Sequence, residues 1–422
     1  MDGSVKKVSL KGLVMADFPP LDEWTEQARR WLAARLPLQD RSVQDRAART
    51  WGEGSDEVAV FHAMTREEEG RLIRNIMDWQ REKFDAGYGA ITWPPEYGGA
   101  GLPSGYARAF RRVEARFATP GHHETPNVSI NLVGNTIRVL GSEEQKARFL
   151  RPLLRAEILA CQLFSEPGAG SDLASVTTAA VRDGDEWVLN GQKVWSSGAL
   201  FAGWGEIICR TDTAVPKHQG MTAFLLPMDL PGIDVRPIRQ MTGGASFNEV
   251  FLSDVRIPDE LRLGPVGDGW KVALTTLGFE RGGSGEARGG TYRDVLALAR
   301  WLGVTSDPVV RQLLARLYCG HQALALTAQR AAARARAGGP PGPEGSVGKL
   351  LFTRQQKAIS DAVETLLGAR ITADTGEWGT FAWSAFLLGA PGNRIAGGSD
   401  EIQHTIIGER ILGLPREPNP TA

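Results

Sequence analysis

Two stretches decide how this chain is read. They are Cys161-Gln162-Leu163-Phe164-Ser165-Glu166-Pro167-Gly168-Ala169-Gly170-Ser171-Asp172 and Asn190-Gly191-Gln192-Lys193-Val194-Trp195-Ser196-Ser197. The glycines permit a tight, irregular backbone whose N–H groups can meet phosphate or carbonyl oxygens. Hydroxyls at Ser165 and Ser197 suit hydrogen bonds to a heteroaromatic ring, and Trp195 offers a flat face for stacking. Taken alone, a Ser-Glu-Pro-Gly turn is ordinary architecture and a single tryptophan belongs to a core. The pairing of the two stretches is what points to a site.

Around them the chain reads as short strands. Asp183-Gly184 and Asn190-Gly191 are turn dipeptides between β-rich runs at Glu186–Leu189 and Lys193–Trp195, and further runs follow at Glu206–Arg210, Met221–Met228, Ile233–Ile238 and Glu249–Ile257. This predicts a sandwich or barrel over 158–264. The flanks have helical period instead. In Asp22–Leu36 the residues Trp24, Ala28, Trp31, Leu32 and Leu36 share one stripe, which Pro37 ends. Gly141-Ser142-Glu143-Glu144-Gln145 closes one helix and opens another with a capping box, continuing through Ala147, Leu150, Leu153 and Leu154. From Trp270 the period returns at Val310, Leu313, Leu314, Leu317, Tyr318 and His321, then at Ile359, Ala362, Val363, Leu366 and Leu367, with a Pro-rich loop over Gly338–Gly345. The expected class is α+β: an α-helical domain over 1–157, a β domain over 158–264 and a helical bundle over 265–422.

Composition narrows the function. The 422 residues, 42% hydrophobic and 23% charged, fit a globular protein of two to four domains. No apolar run reaches the ~18–20 residues that span a bilayer, and Met1–Lys7 opens no signal-peptide core, so a cytoplasmic location is expected. Forty-eight basic against 49 acidic residues, without a polybasic block, argue against nucleic acid as a partner. Cys161, Cys209 and Cys319 have neither disulfide nor zinc spacing and read as reduced, mostly buried thiols. Fifty glycines imply many tight turns.

The paired stretches resemble the flavin-binding β domain of the acyl-CoA dehydrogenase family, which carries Ser/Thr-Glu-Pro-x-Ala-Gly-Ser-Asp and then Asn-Gly-x-Lys-x-Trp-x-Ser/Thr. The resemblance extends to Trp93-Pro94-Pro95-Glu96-Tyr97-Gly98-Gly99-Ala100-Gly101, Gly141–Lys146, Asp254-Val255-Arg256-Ile257-Pro258 and Gly398-Ser399-Asp400-Glu401-Ile402-Gln403. It implies an FAD enzyme that oxidises an acyl-CoA to the trans-2-enoyl-CoA and passes electrons to an electron-transfer flavoprotein. By motif position Ser165 meets the flavin near N5 with Phe164 and Gln162 beside it. Trp195 and Ser197 flank the ring, Ser171 reaches the CoA arm as well as the cofactor, and Ser399 and Glu401 approach the flavin nucleotide from the C-terminal domain.

The α-proton of a thioester is too weakly acidic for water to remove, so the reaction needs a placed base and hydrogen bonds to the enolate oxygen. Many family members carry that base as a Glu just before the Gly-Thr/Ser run, where this chain has Ile395-Ala396-Gly397-Gly398-Ser399. Gly397 has no side chain to serve. The family's second solution, Leu-x-x-Glu-Arg on the first long C-terminal helix, matches Leu277-Gly278-Phe279-Glu280-Arg281 and assigns the base to Glu280. Burial against substrate would raise its pKa. Arg281 matches a position near CoA, although an ion pair with a carboxylate explains it equally. Gly282–Gly290 has neither P-loop nor Rossmann spacing. It reads as close helix packing or as room for a bulky, branched or steroid-type acyl group. His122-His123 beside Glu124 lacks the i,i+4 spacing of a helical metal site, so no metal is expected and Gly121–Asn131 is read as acyl-pocket lining.

Two family patterns are missing. Arg-x-x-Phe-Gly, which reaches a neighbouring subunit's FAD, is replaced in the region Arg300–Pro308, and Gln-x-Leu-Gly-Gly-x-Gly by Thr365–Ile371. Such departures resemble bacterial branches acting on large thioesters, some of them mixed assemblies. A homo- or hetero-oligomer, dimer or tetramer, built through the C-terminal helices is expected. Two other readings stay open: a non-catalytic subunit of a heteromeric enzyme, and a flavin oxidase or monooxygenase on the same fold.

Overall fold

The computed structural model describes residues 18–39, 58, 60–282, 290–336, 343–372 and 380–416. By contacts the chain divides into two compact units, one drawn from Met1–Asp40 and Glu82–Thr119, the other from Arg41–Arg81 and Pro120–Ala422.

In the first unit, α1 (Leu21–Ala33) buries Trp24, Ala28 and Leu32, one stripe at helical spacing. Helix Ser104–Glu114 answers it with Tyr106 and Phe110, and Trp24 meets the Tyr106 ring edge-on at 5.3 Å. The helix ends at Ala33, earlier than the apolar stripe predicts, because the residue before a proline is disfavoured in the α region and Leu36 precedes Pro37.

Helix α2 (Arg66–Asp85) belongs to the second unit as far as Arg81, and after helix α3 (Ser104–Glu114) of the first unit the second continues with α4 (Glu124–Asn127). That helix runs through a π-turned stretch, Val128–Gly134, into α5 (Asn135–Leu140). Helix α6 (Glu143–Leu154) begins at the expected capping box, in which Ser142 and Gln145 satisfy each other's backbone N–H. Gln145 Nε2 also donates to the carbonyls of Glu260 and Arg262, at 2.8 and 2.9 Å. The expected boundary near 157 is thus bridged by hydrogen bonds.

The strands are β1 (Ala160–Leu163), β2 (Ala179–Asp183), β3 (Glu186–Lys193), β4 (Trp204–Arg210), β5 (Met221–Pro227), β6 (Ile233–Ile238), β7 (Phe247–Pro258) and β8 (Arg262–Leu263). They form one sheet in the order β6-β7-β3-β2-β4-β5-β8. One edge of β4 is shared by β1, which runs parallel along Trp204–Ile207, and by β2, which joins at Arg210. Asp183-Gly184 makes the expected hairpin turn, with Gly184 at φ +66°. Asn190-Gly191 makes no turn and sits as a bulge inside β3, where the register with β7 shifts. A Cβ on Gly191 would lie 2.7 Å from Thr178 Cα, so the glycine serves close strand approach.

The C-terminal helices are α7 (Gly269–Gly282), α8 (Tyr292–Trp301), α9 (Pro308–Arg336), α10 (Glu344–Leu367), α11 (Thr380–Asn393) and α12 (Asp400–Arg410). Their core gathers Val295, Leu298, Leu317, Ile359, Val363, Trp383 and Phe386, with Val58 and Val60 packed among them. Much of the Pro-rich loop expected over Gly338–Gly345 lies outside the described residues. Cys161 and Cys209 are buried free thiols, whereas Cys319 is exposed.

Candidate flavin and thioester site

A buried ion pair shapes the first stretch. Glu166 accepts from Lys193 Nζ at 2.8 Å, from the amide and hydroxyl of Thr177 at 2.7 and 2.8 Å, and from the amide of Thr178 at 2.9 Å. Lys193 Nζ also donates to the Phe164 carbonyl at 3.1 Å, and the Val194 amide to the Ser165 carbonyl at 2.9 Å. Burial pushes the Glu166 carboxyl up, but Lys193 and the other donors outweigh it and bring it down to about 2. Burial draws the Lys193 ammonium down as well. The pair stays charged because the carboxylate collects four donors, more than a neutral acid could use. Both residues stand in the quoted motifs and were given no role by the sequence reading. They fasten the turn to β3, where Ser165 pairs with Val194, the residue before Trp195.

Trp195 has φ +62°, a strained value for a residue with a Cβ. Its indole is 58% exposed and meets Phe247 edge-on at 5.8 Å. The backbones of Ser196 and Asn248 exchange hydrogen bonds of 3.0 and 3.2 Å, and Asn248 Nδ2 donates to the Ser196 carbonyl at 2.9 Å. Gly198 follows at φ +66°, where a Cβ would sit 1.8 Å from Thr125 Oγ1. Ser165 and Ser197 are half-buried, Phe164 is buried and Ser171 is exposed. Gln162 is half-buried, with its Nε2 atom buried and lacking a hydrogen-bond partner among the described residues.

Glu280 lies near the end of α7 and is exposed. Its Oε1 would stand 2.9 Å from a Cβ added to Gly397, which has φ +64°. The two segments from which the family draws its base therefore meet in space. Gln403 Nε2 donates to the carbonyls of Gly397 and Gly398 at 3.1 and 3.0 Å, and Lys349 Nζ donates to those of Ala396 and Gly398. Ser399 caps α12, accepting from the Ile402 amide at 3.4 Å, and Glu401 is exposed in its first turn. Buried Asp400 is held by Arg394 at 2.8 Å and Thr353 at 2.9 Å. The structure thus forms two groups, Gln162–Ser165 with Trp195–Ser197, and Glu280 with Gly397–Glu401. The side chain of Arg281 and the residues 283–289 of the glycine run lie outside the described residues.

His122-His123-Glu124 does not close into a cluster. His123 joins Glu69 and His62 instead, with Nε2 atoms 2.9 and 3.3 Å from Glu69 Oε1. The three have metal-ligand chemistry. However, the Thr125 amide donates to His123 Nδ1 at 3.2 Å, so His123 Nε2 carries the ring proton and donates it to Glu69. A metal ligand would need that lone pair free, with the proton on Nδ1. The cluster is a carboxylate clamp; burial opposes ionisation of Glu69, and the two histidines override it to about 2. Its two histidines, with His122 and Glu124, line a cleft beside Phe61, Ser197 and Gly198. Glu69 and His62 had no sequence signal, since their partner is far along the chain.

These features fit a flavin nucleotide. The exposed indole presents a face to a planar ring, and Gly168 and Gly170 have open space where a Cβ would point, leaving the motif backbone accessible to phosphate. A glycine-rich turn pinned to a sheet, with a carboxylate beside C-terminal glycines, is an arrangement that suits a flavin-dependent oxidoreductase of thioesters. The family descriptions "Acyl-CoA dehydrogenase" N-terminal, middle and C-terminal domain match residues 44–157, 161–255 and 267–412. The chain is 37% identical over 406 residues to acyl-CoA dehydrogenase IpdE1 of Mycobacterium tuberculosis, covering 94% of this chain and 98% of that protein. Among solved structures it resembles the Tcur3481-Tcur3483 steroid ACAD, with TM-score 0.72, 29% identity and coverage of 96% and 100%. It also resembles the ChsE4-ChsE5 complex from Mycobacterium tuberculosis, with TM-score 0.70, 26% identity and coverage of 96% and 100%. The chain belongs to the acyl-CoA dehydrogenase family, whose members are FAD-dependent oxidoreductases. No helix among the described residues is long and apolar enough to cross a membrane.

Proposed function

We propose that this chain introduces the α,β double bond into a bulky, ring-bearing acyl-CoA, with Glu280 as the base that takes the α-proton. The observation that carries the assignment is the carboxylate of Glu280 standing beside Gly397, at the segment where other members root their glutamate. FAD supplies the hydride acceptor when bound. Ser165, Phe164, Gln162, Trp195 and Ser197 hold the ring, and Ser171, Ser399 and Glu401 reach the nucleotide, with Ser171 also serving the CoA arm beside Arg281. Glu280 is exposed in the single chain, and an acyl group packed against it would desolvate the carboxylate and strengthen it as a base. The steroid ACAD likeness favours a polycyclic acyl group, and the paired names in both solved relatives favour an assembly of more than one subunit. Electrons leave to an electron-transfer flavoprotein.

The test is an anaerobic titration of purified protein with linear, branched and steroid-type acyl-CoAs, following flavin absorbance. Ring-bearing thioesters should bleach the flavin fastest. Faster bleaching by a linear medium-chain thioester would defeat the substrate assignment, and rapid reoxidation by air would favour an oxidase.

A further inference from the structure

Glu206, on β4, is fully buried, and among the described residues no charged group acts on its carboxyl. Its register partners are Gln162 on β1 and Leu225 on β5, and the helices covering it present Thr276 of α7 and Thr136 of α5. Thr276 Oγ1 lies 2.6 Å from Glu206 Oε1, 2.9 Å from Thr136 Oγ1 and 3.1 Å from the Val272 carbonyl. Thr136 Oγ1 lies 2.9 Å from the Leu132 carbonyl. Glu206 Oε2 is buried without a partner among the described residues.

Counting protons favours a neutral Glu206. Carbonyls only accept, and each threonine has one proton to give. Two hydroxyl protons serve at most two of the four contacts, whereas three protons serve all but the 3.1 Å contact to the Val272 carbonyl. A third proton, on Glu206, yields an unbroken chain: Glu206 donates to Thr276, Thr276 to Thr136, and Thr136 to the Leu132 carbonyl. An ionised Glu206 would bury one anionic oxygen with a single donor and the other with none, an arrangement proteins avoid. Burial raises this carboxyl to about 8.

We propose that Glu206 is a positioning residue, a neutral carboxylic acid heading a hydrogen-bonded clasp that fixes α7, and with it Glu280, against the sheet. Thr276 is one helical turn before Glu280, so loosening the clasp displaces the carboxylate without removing it. The positioning role rests on Glu280 being the base, whereas the clasp itself does not.

The experiment compares wild type with Glu206→Gln, which keeps a donor and never ionises, Glu206→Leu, which fills the space without one, and Thr276→Val. Thermal midpoints are read from pH 5 to 9. The wild-type carboxyl is neutral when folded up to about 8 but ionised when unfolded above 4.5, so wild-type stability falls as pH rises across that window and levels off above it. Glu206→Gln should lack this fall. A protonated-carboxyl infrared band present in wild type at pH 7 and absent from Glu206→Gln gives a second readout. Anaerobic flavin reduction at saturating thioester should slow roughly tenfold or more in Glu206→Leu and Thr276→Val with KM little changed, and recover in Glu206→Gln. Superimposable midpoint profiles of wild type and Glu206→Gln, or no such infrared band, would overturn the clasp. Wild-type rates in Thr276→Val would overturn the positioning role. If Glu280 proves not to be the base, the midpoints and the infrared band still decide whether the clasp exists.

Discussion

At the scale of single residues, Lys193 and Glu166 show that part of a binding motif is framework. Replacing one partner leaves the other charged and buried, so Lys193→Met should destabilise the protein by about 3–5 kcal/mol, measured by denaturant unfolding, and weaken FAD retention. Trp195 is the opposite case. Its face is exposed, so Trp195→Ala should leave the melting temperature nearly unchanged while raising the apoprotein's Kd for FAD by roughly tenfold. Most of the residues proposed to hold the flavin could be named from sequence because they lie in two short stretches. Glu69, His62 and Glu206 were not, because a carboxyl's partner 54 or 70 residues away leaves no local pattern. Glu206 sits in a β-rich run, where a lone charged residue reads as solvent-facing.

At the scale of elements, the helix periods and most strand runs carried through, but the run expected at Lys193–Trp195 is no separate strand, since β3 continues to Lys193 and Trp195 turns left-handed, and the turn signals were partly misread. Asn-Gly is a strong hairpin signal, yet here the demand for close packing against Thr178 turned it into a bulge. A positive φ says only that glycine is favoured, not whether the chain reverses there. Gly198 makes the same point, because its Cβ position is already taken by Thr125. Gly198→Ala should cost about 2–3 kcal/mol by overpacking and backbone strain, read as a lowered unfolding midpoint. Acid acts on the same elements. Glu166 and Glu69 both sit near 2 when folded against 4.5 unfolded, so the stability they contribute is present above 4.5 and lost as pH falls toward 2. In Lys193→Met the share from Glu166 should shrink, flattening the acid limb of the unfolding curve.

At the scale of the whole molecule, the C-terminal helices leave Val309, Tyr318, Leu326 and Leu388 exposed, and the family's cross-subunit Arg-x-x-Phe-Gly motif is missing. Apolar surface of this kind on helices is covered in an assembly. Light scattering should therefore give a multiple of the 45.7 kDa chain mass or, with a partner subunit, a mixed particle that binds FAD more tightly than this chain alone. A monomer that holds FAD fully and reduces it without any partner would contradict this. The central claim is the base, and one measurement reaches it most directly: single-turnover flavin reduction under anaerobic conditions in wild type and Glu280→Gln, both loaded with FAD and a thioester that bleaches the wild type. Glu280→Gln should keep its FAD and its thioester affinity yet lose at least about a thousandfold in reduction rate, since no carboxylate remains to take the α-proton. Bleaching of Glu280→Gln at the wild-type rate would contradict it and place the base elsewhere.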